Sequence, residues 1–224
     1  DIEKILKEVN SRKKFIPIGV IDDLTWADFS KVNVNIHKLE GIYPQIGFKR
    51  YYTQGESHSH LIGYVSQISK SEEKSNPLSK LSIAKAGKIG VEKAKDITLR
   101  GKLGSKNIEV NASGREIREL DRINSVQGNY IQLTIDSELQ KYCFERLKGL
   151  SGSVSVINVK NGEFYALASS PSYDPNMFSK PISDQTWENL LSNKYKPLIN
   201  KSISNQYPPG STIKPFVALA ALES

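Results

Sequence analysis

A single cysteine, Cys143, in 224 residues excludes an internal disulfide. It stands in Leu139-Gln140-Lys141-Tyr142-Cys143, on or beside the apolar stripe of an expected helix, and reads as a buried, inert thiol. Histidine is almost as scarce, with only His37, His58 and His60. His58-x-His60 could bind a metal, but no cysteine or carboxylate set stands at ligand spacing, so neither metal nor cofactor is expected. No apolar run approaches the ~20 residues of a membrane-spanning helix, and no signal-peptide pattern opens the chain. No repeat recurs at a fixed period. The chain opens on Asp1 rather than Met, so further sequence upstream is expected.

What is present is ordinary for a globular protein: 25% charged and 38% apolar residues, enough chain for two domains. The net charge is +7, and much of the excess is local. Seven Lys/Arg stand between Lys85 and Lys106, against Glu92 and Asp96. No aromatic platform accompanies them, so a solvated face is expected rather than a nucleic-acid site. Proximity to an anionic membrane or wall polymer would suit the charge equally well.

In chain order, helical spacing of Ile2, Ile5, Leu6 and Val9 predicts a first helix, and Asp23 or Thr25 caps a second. Phe15 to Val20 reads as a short extended piece. Residues 42–52 and 61–68 read as strands, and the Ser/Lys/Glu-rich stretch 69–82 as a loop. Residues 87–103 read as one basic helix, and 108–110 and 116–120 as a hairpin turning at 111–114. Residues 130–135 alternate as a strand, and Asp136 caps a helix from Ser137. Asn161-Gly162 between two β-rich runs predicts a second hairpin, and a helix comes next around 184–191. Strands and helices mix without regular βαβ alternation, which makes the fold α+β, with domains at 1–128 and 129–224.

The most informative stretch closes the chain: Tyr207-Pro208-Pro209-Gly210-Ser211-Thr212-Ile213-Lys214-Pro215, then the apolar run 216–222. Ser-x-x-Lys alone is uninformative, since it occurs four times, at Ser11/Lys14, Ser71/Lys74, Ser82/Lys85 and Ser211/Lys214. Only at Ser211 does a turn fix the serine and an apolar run succeed it. A hydroxyl is inert at neutral pH until a neighbour takes its proton, and Lys214 lies one turn along on the same face. Pro215 suits a first helical turn, where backbone donors lack partners. The run 216–222 is apolar all round, so this helix is expected to be buried and the Ser–Lys pair rigid.

This segment resembles the active-site segment of the class B penicillin-binding proteins, closest to the elongation-type peptidoglycan D,D-transpeptidases. Upstream, Ala168-Ser169-Ser170-Pro171-Ser172-Tyr173-Asp174-Pro175-Asn176 resembles the stretch before the family's catalytic serine. Gly41-Ile42-Tyr43-Pro44, Arg50-Tyr51-Tyr52, His60-Leu61-Ile62-Gly63-Tyr64-Val65, Gly90-Val91-Glu92, Gly114-Arg115 and Leu133-Thr134-Ile135-Asp136 are similar to segments of its N-terminal pedestal. The resemblance implies an elongated pedestal (dimerisation-type) domain at 1–128 and the start of a transpeptidase domain at 129–224, an antiparallel sheet with covering helices. It implies Ser211 as nucleophile and Lys214 as general base, acting on peptidoglycan stem peptides and acylated by β-lactams. It also implies a membrane glycosyltransferase and elongation scaffold proteins as partners. An anchor outside this chain would place the protein on the periplasmic side of the bacterial inner membrane. The family's Ser-x-Asn and Lys-Thr-Gly do not occur after Lys214, where ten residues remain. The chain is therefore expected to be an inactive fragment, with the Ser211 helix left uncovered on one apolar side. The alternative is a non-catalytic pedestal module that binds a glycosyltransferase or scaffold.

Overall fold

The computed structural model describes residues 2–11, 18–21, 23–39, 41–42, 44, 47, 49–69, 85–111, 116–179 and 182–223. The loop expected at 69–82 and the turn expected at 111–114 fall largely outside them, as does the first half, 15–17, of the extended piece, whose residues 18–20 join no strand. Lys14, Ser71, Lys74 and Ser82 of the other Ser-x-x-Lys matches also fall outside the described residues. The chain divides into two units, the first holding 1–55, 61–133 and 174–183, the second 56–60, 134–173 and 184–224.

In the first unit, α1 (Ile2–Ser11) and α2 (Trp26–Val34) form where predicted. Thr25 caps α2 by accepting from the Asp28 N–H at 3.2 Å. Where a strand is expected at 61–68, Ser59–Ile62 instead forms a single turn, α3, and only Val65–Gln67 pairs as β1, antiparallel to β2 (Lys85–Gly87). A Cβ on Gly63 would stand 2.0 Å from the Ile89 carbonyl oxygen, and one on Gly90 2.5 Å from that of Leu61. Only glycine permits this approach of two backbones. The expected basic helix is two short ones, α4 (Gly90–Ala94) and α5 (Asp96–Arg100). The break falls at Lys95, just before Asp96, which accepts from the Gly87 N–H and pairs with Arg100. The hairpin of β3 (Ser105–Val110) and β4 (Glu116–Ile123) is as expected, but two register shifts interrupt its ladder.

No strand forms over 42–52 among the described residues. The Tyr52 backbone is served by a side chain instead: its N–H donates to Asn176 Oδ1 at 2.9 Å, and Asn176 Nδ2 donates to its carbonyl at 3.0 Å. Buried Glu92 accepts from the Tyr52 hydroxyl at 3.3 Å and pairs with Arg50 at 3.0 Å. Burial, then the Glu92 charge, pushes the Tyr52 phenol up, while donation from the Val65 N–H and the Arg50 charge pull it down. The ring of Tyr64 stacks on Phe178 at 3.9 Å.

In the second unit, β5 (Gly152–Ile157) pairs antiparallel with β6 (Phe164–Ser170), and α6 (Ser137–Arg146) lies on β6. Asp136 caps α6 as predicted, accepting from the Leu139 N–H at 3.0 Å. Cys143 meets the fully buried Ala166 and Ala168, with Leu139, Phe144, Leu147, Val154 and Val156 around them. Two alanines on β6 let the helix approach closely, and burial pushes the Cys143 thiol up, consistent with an inert thiol. The loop between the strands spans 158–163, longer than an Asn-Gly turn, with Gly162 at φ +78°. Residues 130–135 form no strand, although they alternate. Thr134 makes an edge contact instead, its Oγ1 donating to the Phe164 carbonyl at 2.7 Å, and just past the stretch the Asp136 N–H donates to that of Tyr165 at 2.9 Å. The last two helices are α7 (Asp184–Ser192) and α8 (Lys214–Glu223).

Candidate active site

The serine turn forms where the sequence places it. Gly210–Ile213 is a 3-10 turn that runs directly into α8. Gly210 has φ +56°, a conformation that a residue with a side chain resists, so the Pro-Pro-Gly sequence is what allows the chain to turn here. The Thr212 N–H and Oγ1 both bond the Pro209 carbonyl, and the Lys214 N–H bonds that of Ser211. Among the described residues the Ser211 N–H has no carbonyl partner. It is one of the orphan donors at the start of the helical run. In 3-10 geometry residues three apart eclipse, so the turn carries Ser211 and Lys214 on one face.

One expectation is overturned. The helix behind the serine is not buried: every residue from 203 to 223 is exposed, with Phe216 at 70% and Leu222 at 83%. Apolar composition dictates that α8 be covered, but nothing among the described residues covers it. Neither the Ser211 hydroxyl nor the Lys214 amine has a bonding partner among them.

The turn is joined to the sheet by residues 196–204, packed on β6. Lys201 is 4% exposed, its N–H on Ser169 Oγ at 3.0 Å and its amine on the Lys196 carbonyl at 3.2 Å. Ser202 Oγ donates to the Ala168 carbonyl at 3.1 Å, and Ser169 Oγ reaches that of Ile199 at 3.4 Å. Burial pulls the Lys201 amine down.

Residues 56–60 form the other side of this cluster. Ser59 is fully buried and its Oγ bonds Ser172 Oγ. His58 bonds Ser57 Oγ at 2.9 Å and Ser137 Oγ at 3.3 Å, and His60 meets the Tyr173 ring edge-on at 5.2 Å. Neither histidine joins a metal-binding group among the described residues. The sequence marks His60 only as half of a weak metal-binding pair, and it does not mark Asn200 or Lys201 as site residues. Their one signal is polarity: His60 beside Leu61-Ile62, and Asn200-Lys201 directly after Pro197-Leu198-Ile199.

His60 makes stability depend on pH. Burial, then the Lys201 charge, pulls its pKa to about 4, while the carbonyls of Pro171 and Pro197 pull it up. The ring is therefore neutral when folded and takes a proton near pH 6.5 when unfolded. Folding stability falls as pH drops from about 6.5 to about 4, by roughly 3 kcal/mol, and no further below. We expect His60→Gln to remove this slope in urea unfolding between pH 7.5 and 4. Parallel curves for the two proteins would refute the assignment.

Residues 1–133 match the penicillin-binding protein dimerisation domain, and residues 152–224 match the penicillin-binding protein transpeptidase domain. The chain belongs to the penicillin-binding protein family. It is similar over its whole length to the peptidoglycan D,D-transpeptidase MrdA of Escherichia coli K12, at 37% identity over 229 residues. It is 36% identical to MrdA of Haemophilus influenzae over 226 residues, 99% of this chain. It spans 36% and 35% of the lengths of these two relatives. Among solved structures it resembles the PBP2 of Helicobacter pylori in complex with MreC, with a TM-score of 0.79 and 29% identity over all of this chain and 46% of that one. It also resembles the PBP2 of Pseudomonas aeruginosa in complex with WCK 5153, with a TM-score of 0.66 and 34% identity over 80% of this chain and 36% of that one. The mixed helix and strand fold with small antiparallel sheets is that of these neighbours.

Proposed function

We propose that the protein to which this chain belongs is a serine-type peptidoglycan D,D-transpeptidase of cell elongation, with Ser211 as nucleophile and Lys214 as general base. The observation that carries this is the Gly210–Ile213 turn feeding α8, within a stretch that matches the transpeptidase family. Ser211 Oγ attacks the carbonyl of the penultimate D-alanine of a stem peptide. The C–N bond to the terminal D-alanine breaks, and the proton taken by Lys214 passes to the leaving amine. An amine of a neighbouring stem then displaces Ser211 and forms the cross-link. The Ser211 N–H supplies one oxyanion donor. A β-lactam mimics the donor and stays on Ser211 as an ester. An inner-membrane anchor with the catalytic domain on the periplasmic side accords with a substrate that lies in the wall.

The 224-residue chain alone is expected to be inactive. It contains no Lys-Thr-Gly to supply the second oxyanion donor, and α8 stands exposed. A fluorescent penicillin is expected to label the full-length protein stoichiometrically, with the label mapped by mass spectrometry to the Ser211 peptide, and to leave the 224-residue chain unlabelled. A full-length protein that folds but takes no label at Ser211 sinks the assignment.

A second reading concerns residues 1–128 as a pedestal that binds a partner, such as a scaffold protein or a membrane glycosyltransferase. It is compatible with the first and rests on the apolar residues that the β3–β4 hairpin exposes. Ile117, Leu120 and Ile123 are each about 60% exposed. A related PBP2 is seen bound to MreC. Capture of a scaffold protein by residues 1–128 supports this reading, and failure of that pull-down argues against it.

A further inference from the structure

Lys201 is the last buried residue before the serine turn, and Ser202 the last half-buried one. From 203 onward the chain is exposed. Within the second unit, the place of Ser211 relative to the sheet therefore depends on how firmly 199–202 is held. Asn200 is the hub of that turn. Its Oδ1 accepts from the Ser202 N–H at 3.0 Å, and its carbonyl accepts from Ser204 at 2.9 Å and Ile203 at 3.4 Å. Its Nδ2 reaches the His60 carbonyl at 3.4 Å.

That last contact matters because of where His60 sits. Residues 56–60 interrupt the first unit's stretch of sequence, yet belong to the second unit. They are fastened there at several points. Ser59 Oγ bonds Ser172 Oγ, the Ser57 carbonyl accepts from Gln140 Nε2 at 2.8 Å, and the His60 ring stands on Tyr173. Ser57, Ser59 and His60 thereby tie the segment to α6 and to the stretch after β6. A backbone carbonyl so immobilised is a fixed reference point. Asn200 reads that point on one side and organises the approach to the serine on the other.

We propose that Asn200, docked on the His60 carbonyl, is a positioning residue for Ser211, and that residues 56–60 are a built-in part of the transpeptidase unit. This rests on the reading of Ser211 as the nucleophile. A nucleophile must stand within a few tenths of an ångström of its attack geometry, and misplacement by about 1 Å costs up to about 100-fold in rate. Beyond 202, Ile203 and Ser204 are held to the Asn200 carbonyl itself, and prolines 208 and 209 stiffen the connection further on. Movement at 200 therefore passes to 211.

The test uses the full-length protein and the kinetics of acylation by a fluorescent penicillin. Asn200→Asp keeps the acceptor for the Ser202 N–H but replaces the amide donor with an oxygen that the His60 carbonyl repels. It is expected to slow the acylation step about 10-fold or more at saturating penicillin. The half-saturating concentration should change less than about threefold and the final stoichiometry should not change. His60→Ala, which removes the packing on Tyr173 but keeps the carbonyl, is expected to slow the same step less than Asn200→Asp. Should Asn200→Asp prove unfolded, Asn200→Ala is assayed in its place. Acylation at the wild-type rate in a folded Asn200 variant overturns the proposal. A lowered melting point with unchanged acylation does the same, because it marks a purely structural role. Wild-type protein that is never acylated at Ser211 overturns the transpeptidase reading first, and this inference with it.

Discussion

Alanine at position 211 is expected to leave the full-length protein folded and unable to take up a penicillin label. The loss is about 10^4-fold or more, set by the disappearance of the only atom that can form the ester. Folding should survive because the side chain bonds no other described residue. Lys214→Arg is the sharper companion. It preserves charge and approximate length, but a guanidinium does not give up a proton in a protein. If Lys214 takes the serine proton, the arginine variant should acylate about 10^3-fold more slowly, or worse. If Lys214 only supplies positive charge, the variant should acylate within about 10-fold of wild type, and the base must be sought elsewhere. Rates are compared by single-turnover labelling at equal concentrations of folded protein. Folding is checked by the melting point.

The residues that the sequence marks clearly are those whose reasons are local. Gly210 turns at φ +56° because the preceding prolines need a residue without Cβ to complete the bend. Asp136 caps α6 because a short carboxylate before a helical run satisfies an orphan N–H within three residues. The break at Lys95 and the longer loop at 158–163 depart by only a few residues from the single helix and tight turn that the sequence predicts.

The failures are long-range. Residues 42–52 alternate like a strand, yet the polar partner of the Tyr52 backbone is Asn176, 124 residues away. Period-2 patterning describes a backbone that seeks hydrogen bonds along an edge. It cannot say that one amide side chain will provide them. Residues 130–135 fail likewise: they form no ladder, and Thr134 meets β6 through its hydroxyl alone. His60 and Asn200 meet across 140 positions, and nothing in either neighbourhood announces the other. The helix α8 is a different case. Its composition states that it must be covered, which is correct chemistry, but composition never names the cover.

Gln140→Ala is expected to destabilise the second unit by about 3–5 kcal/mol, a large part of what holds an ordinary domain together. Gln140 is 1% exposed and makes three hydrogen bonds. Its Nε2 donates to the carbonyls of Ser57 at 2.8 Å and Leu167 at 3.0 Å, and its Oε1 accepts from the Leu167 N–H at 2.6 Å. The side chain thus acts as one residue of an extra strand along β6. It does so from a helix, and the same amide holds residues 56–60. Alanine leaves the Leu167 N–H and two carbonyls short of partners and opens a cavity besides. Gln140→Leu fills the volume and isolates the polar part, for which about 2–3 kcal/mol is expected. Gln140→Glu tests direction. It keeps the acceptor for Leu167 but turns an oxygen towards both carbonyls, so it should recover little at pH 7. Urea unfolding measures all three. A loss below about 1 kcal/mol for alanine would mean that water or a shifted backbone satisfies β6 in its place. The clamp joining α6, β6 and residues 56–60 would then be expendable.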